Sequence, residues 1–132
     1  MKIKTLVATS ALAAAGVVGA VGQSASAICG VQLEIHNIGV NDVTVDWMDS
    51  HVRQQVMVAG QPVAGPWTTL GNFSTTVVAG GTINTSFFVP GNCAGVNRQY
   101  RLEENQNGVA SYVYFPGAGF WTTDRTPHIH VA

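Results

Sequence analysis

Two stretches, "VQLEIHNI" (residues 31–38) and "NDVTVDW" (residues 41–47), alternate apolar and polar side chains with a period of two. A strand turns successive side chains to opposite faces, so this period buries one face and wets the other. Val31, Leu33 and Ile35 fall on one side of the first run, opposite Gln32, Glu34 and His36; Val43, Val45 and Trp47 oppose Asp42, Thr44 and Asp46 in the second. Beyond residue 27, no segment keeps apolar residues at i, i+3, i+4 and i+7 over three turns. The chain is therefore predicted to fold with strands alone.

Turn-forming residues mark where those strands stop. "NIGVN" joins the first two runs and predicts a hairpin. "HVRQQVMVA" (residues 51–59) follows, with Val52, Val56 and Val58 on its inner face against Arg53, Gln55 and Met57. "WTTLGNFSTTVV" and "GTINTSFFV" are separated by Ala79-Gly80-Gly81, and "RQYRLEE" and "VASYVYF" by Asn105-Gln106-Asn107-Gly108, a hairpin connection. "FWTTD" and the terminal "HIHVA" complete about eight to ten short strands, which predict an all-β, two-sheet antiparallel sandwich. It is immunoglobulin-like in general architecture only: Cys93 sits in "PGNC" rather than in a strand, and Gly91, not Tyr, stands two residues before it. "VASYVYF" (Val109 to Phe115) has no charge and no proline, the profile of a segment that aggregates on an open edge. A central place in its sheet is expected, with Val109, Val113 and Phe115 pointing into the core.

Residues 1–27 read as a secretory signal peptide: Lys2 and Lys4, an apolar stretch from Ala11 to Gly22, then Ala25-Ser26-Ala27 as a cleavage site. The stretch is shorter than the roughly 20 residues a membrane span needs. Residues 28–132 are then one exported domain, and the Ala-rich leader resembles bacterial ones. Cys29 and Cys93 are the only cysteines, and an oxidising compartment predicts a disulfide between them. With both lysines in the leader, four arginines (Arg53, Arg98, Arg101, Arg125) face seven acids, and no basic stripe offers itself to nucleic acid.

His128 and His130 lie on one face of the last strand, with Ile129 and Val131 on the other. Two imidazoles can share a zinc or copper ion, but a tight site needs a third ligand, for which His36, His51, Asp46 and Asp49 are the available donors. Without it the pair is simply the wet face of a strand, and no other cofactor is expected. Asp49-Ser50-His51 names a catalytic triad, yet neighbours in extended chain point alternately and cannot stack as nucleophile, base and orienter. Glu103 and Glu104 face opposite ways for the same reason. No catalytic set emerges.

Tyr112 and Tyr114 share an outer face, and Phe120-Trp121 follows after a "PGAG" break that can fold back beside them. Such an aromatic strip suits a sugar ring or a protein surface. The sequence thus reads as a small secreted, non-catalytic binding module for carbohydrate or protein. Two other readings stand beside it: a protease inhibitor presenting "GQPVAGPW" (residues 60–67) or "PGNCAGVN" (residues 90–97), and a metal-binding protein using His128 and His130.

Overall fold

The structure is a computed structural model, and it describes residues 27–132. The signal-peptide reading of residues 1–27 lies, Ala27 apart, outside the described residues. Nine strands follow in order: β1 (Ile28–Asn37), β2 (Val43–Val58), β3 (Gln61–Ala64), β4 (Thr68–Thr69), β5 (Ser74–Val77), β6 (Thr82–Pro90), β7 (Arg98–Gln106), β8 (Val109–Phe115) and β9 (His128–Val131). Among the described residues there is no helix, so none is long and apolar enough to cross a membrane.

The strands form two sheets, as the alternation predicts. The small sheet has the order β6-β1-β9; the large one runs β3-β2-β7-β8, with β5 and β4 also pairing along β2. Both belong to one compact unit, residues 30–89 with 93–132. Residues 27–29 and 90–92 belong to a second unit, in which the Gly91 N–H donates to the Ala27 carbonyl at 2.9 Å. The large sheet is antiparallel throughout, but β1 and β9 pair in parallel, Glu34 beside His128 and His36 beside His130.

The expected β1–β2 hairpin does not form, because the two strands belong to different sheets. Asn37 supplies the physical reason. Its buried side-chain amide donates to the Asn41 carbonyl at 2.8 Å and to the Val77 carbonyl of β5 at 2.9 Å, while its Oδ1 accepts from the Gly39 N–H at 2.9 Å. The chain end of β1 is thereby fastened to the large sheet, and the apolar rows of β1 and β2 are buried. Trp47 bridges the layers. Its fully buried ring lies 4.8 Å from that of Phe87 on β6, and its Nε1–H donates to Thr75 Oγ1 at 3.0 Å.

"NDVTVDW" and "HVRQQVMVA" are not two strands but one, β2, broken by a bulge. Between Asp46 and His51 the pairing advances five positions on β2 and only two on β7. The excess is an odd number, so it reverses which parity faces the core. Val43, Val45 and Trp47 are buried before the bulge; Ser50 and Val52 are buried after it. The Ser50 hydroxyl holds the distortion together, donating to the Asp46 carbonyl and accepting from the Glu103 N–H at 2.9 Å. Opposite the bulge, Leu70 to Phe73 interrupt the single strand expected for residues 67–78 and divide it into β4 and β5. Their backbone meets the bulge directly, with Leu70 N–H on the Ser50 carbonyl and Gly71 N–H on that of Trp47.

Past the bulge, the inward places expected for Val56 and Val58 are not realised. Both are exposed, because this end of β2 pairs only with β3 in a hairpin that carries little apolar cover. Ala59 (φ 51°) and Gly60 (φ 77°) form its two-residue left-handed turn. Asn107 (φ 53°) and Gly108 (φ 82°) do the same for the predicted β7–β8 hairpin.

Strand β8 departs most from expectation: it is the edge of the large sheet, not its centre. Val109 shares the inner face with Val113 and Phe115 yet is 70% exposed, and the other two are only half-buried. A three-stranded layer is too narrow to cover the end of the wider sheet. "FWTTD" contributes no named strand either; Thr122 alone pairs with Arg98, by backbone bonds of 2.7 and 2.9 Å.

Cys29 and Cys93 form the predicted disulfide. Reducing it removes a cross-link across 64 positions, and denaturant melts with and without reductant are expected to differ by roughly 4 kcal/mol. Ser50→Ala would leave a part-buried carbonyl and a part-buried N–H without their partner at the bulge; a loss of about 1–2 kcal/mol is expected in the same melts.

Candidate functional site

The bulge determines what the outer face of the large sheet displays. Downstream of it, His51 and Arg53 of β2 turn outward and meet the outward row of β7, where His51 pairs with Arg101 and Arg53 with Gln99. On β8, Tyr114 stands beside Arg101 and Tyr112 beside Glu103. Trp67, which precedes β4, lies over the centre. The guanidinium carbons of Arg53 and Arg101 are each 4.2 Å from its ring centroid, and that of Arg101 is also 4.9 Å from the Tyr112 ring. Cation–π contacts of this kind, between half-buried side chains, hold the long arginines in place.

Tyr112 and Tyr114 are brought together as expected, with centroids 6.3 Å apart. Trp121 reaches the arginines of the same face, 5.7 Å from the Arg53 guanidinium carbon, because the segment after β8 folds back and pairs Thr122 with Arg98 of β7. Gln99 secures that return: its Nε2 donates to the Gly117 carbonyl at 2.9 Å while its Oε1 accepts from Arg53 Nε at 2.9 Å. Phe120 does not join the group. Its N–H is turned back to the Gly117 carbonyl, and its ring is 66% exposed. Sequence reasoning missed Trp67, Arg53, Arg101 and His51 as one group. Outward parity on β7, taken with the predicted β7–β8 hairpin, puts Arg101 on the face of the tyrosines; Trp67, at the end of a Gly/Pro-rich stretch, gave no such signal.

Part of that stretch is strand rather than loop. Gln61 to Ala64 pair with Val58 to Gln55 along β2.

His51 is woven into the patch rather than carried on a turn. Arg101 Nε donates to His51 Nδ1 at 3.1 Å, a bond that requires a neutral imidazole with its proton on Nε2. Burial chiefly, then the Arg101 charge, holds its pKa below the ordinary 6.5, with Asp49 pulling the other way. Beside this cationic, aromatic half lies an acidic one. Carboxylate oxygens of Asp46, Asp49 and Glu103 lie within 4.8 Å of one another, and burial, followed by Asp49 and Asp46, pushes the Glu103 carboxyl above its usual range. Glu104 points the other way, into the core, where burial raises its pKa against a backbone hydrogen bond from Ala132. The Ser50 hydroxyl is committed to the bulge, so Asp49-Ser50-His51 has no nucleophile to spare.

On the small sheet, His128 and His130 are exposed, and Ile129 and Val131 are buried beneath them. His51 belongs to the other sheet, but His36 does reach this face, its ring 5.6 Å from that of His130 and nearly perpendicular to it. Glu34 Oε1 lies 3.5 Å from His128 Nε2. A groove of about 470 Å³ occupies the other end of this face, with Phe88, Gln32 and Arg125 among its walls.

No family model, curated protein or solved structure matches this chain.

An imidazole held below 6.5 binds fewer protons in the folded chain than in the unfolded one. The stability it supports is present above pH 6.5 and declines as pH falls toward the folded value. Arg101→Ala removes both the charge and the donor, so the His51 midpoint in a proton NMR titration is expected to rise toward 6.5, and the acid loss of stability to shrink.

Proposed function

We propose that this is an exported, non-catalytic binding protein that takes an extended segment of a partner protein along β8 and the aromatic–arginine face beside it. One observation carries the reading. The strand that supplies Tyr112 and Tyr114 is an edge strand, with no partner strand on its second side among the described residues. Recognition by strand addition needs both features together: an open edge for main-chain hydrogen bonds, and side chains beside it that select alternate residues of the guest.

The chemistry of the face supports a protein guest over a sugar. Trp, Tyr and Arg dominate protein hot spots, and here Arg53 and Arg101 are held against Trp67 before any partner arrives, which lowers the ordering cost of binding. Stacking on a sugar favours ring faces that share a plane. Tyr112 and Tyr114 are tilted by 57°, and Trp67 and Tyr114 by 60°, so the surface is corrugated. Its charge is divided as well: a guest carrying an acid over Arg53 and Arg101 and a base over Asp46, Asp49 and Glu103 is complementary. Export is supported by the leader motif and the disulfide.

Selection from a display library of extended peptides tests this. Peptides enriched on the protein are expected to lose affinity by about tenfold or more against Tyr112→Ala or Arg101→Ala, while a glycan array stays blank. An array signal that the same variants abolish, with no peptide enriched, would assign the face to carbohydrate instead.

A further inference from the structure

We infer that the outer face of the small sheet is a site for a zinc or copper dication, with His36, His128 and His130 as its nitrogen ligands. The parallel register of β1 and β9 is what assembles it, setting His36 beside His130 and Glu34 beside His128. These four positions form a rectangle of about 4.8 Å across the strands by about 6.7 Å along them, and all four side chains project from one face. An ion above its middle is within reach of each.

One pair of rings is already close, and His128 must turn to join it, since the donor atoms of the three histidines do not all lie within 4.8 Å of one another. Imidazoles that share one tetrahedral ion, with metal–nitrogen bonds of about 2.0–2.1 Å, hold their ring centroids roughly 5 Å apart. His36 and His130 already stand at 5.6 Å. Glu34 Oε1 lies 3.5 Å from His128 Nε2, so a carboxylate oxygen stands beside the third ring as a further donor to the ion. Imidazole-rich donors select zinc or copper over calcium and magnesium, which prefer oxygen. His128 and His130 are exposed, so the ion needs no path through the protein. The site is on the other sheet from the peptide-binding face and stands independently of that proposal.

Calorimetric titration of the purified protein with zinc chloride, and separately with copper chloride, tests the assignment. One ion per chain is expected. His36→Ala, His128→Ala and His130→Ala should each weaken binding by about tenfold or more, and Glu34→Gln by a few-fold. Asp49→Asn, in the acidic cluster of the other sheet, should leave the affinity unchanged. In NMR spectra the ring protons of His36, His128 and His130 should shift with added zinc while those of His51 stay still. Because His128 and His130 are exposed and His36 is half-buried at the surface, the variants are expected to keep the parent's melting temperature. No heat at roughly 100 µM metal, unchanged affinity in the His36→Ala/His130→Ala double variant, or loss of binding in Asp49→Asn would overturn the proposal.

Discussion

The bulge clamped by Ser50 is the constraint on which the display of the large sheet depends. Without the extra residues between Asp46 and His51, the parity that buries Val43, Val45 and Trp47 would carry Asp49, His51 and Arg53 into the core. Burying unpaired charges costs far more than a local distortion of the ladder. One hydroxyl that satisfies a carbonyl and an N–H at the same point makes that distortion affordable. The same reversal brings Val52 under the sheet and puts His51 and Arg53 beside Arg101.

From that reversal follows a face in which like charges sit together without a buried counter-ion. Arg53 and Arg101 meet over Trp67, and the indole's π-face, the neutral His51 nitrogen and the Gln99 amide take up their donors. Interfaces built in this way bind with less loss of side-chain freedom, because the anchors are ordered beforehand.

Strand β8 shows a second departure from what packing alone would favour. An uncharged, aromatic-rich strand at a sheet edge is a hazard that proteins ordinarily blunt with lysine, proline or a bulge. Pro116 ends this one, but Val109 to Phe115 carry none of those devices within the strand. An edge left open beside ordered aromatic and arginine side chains is consistent with use. On the opposite face of the fold, the parallel β1–β9 pair gathers three histidines and a glutamate from two segments that lie some ninety residues apart.

Much of this was legible in the sequence wherever alternation alone decides the outcome. The β class, the inward rows of β1 and β9, the outward histidines, the Asn107-Gly108 hairpin and the pairing of Tyr112 with Tyr114 all follow from side chains that flip at every residue and from turns that need particular dihedrals. Period two says which face a residue joins, but not which strand lies beside it. Sheet membership of β1 and β2 turned on one buried asparagine, and the edge position of β8 on the relative widths of two layers. Trp67 met two arginines, and His36 met His130, through pairings between distant segments. Local sequence therefore determined the faces, because alternation is a property of the strand itself; only the tertiary structure decided the neighbours, because hydrogen-bonded partners are chosen by the packing of the whole domain.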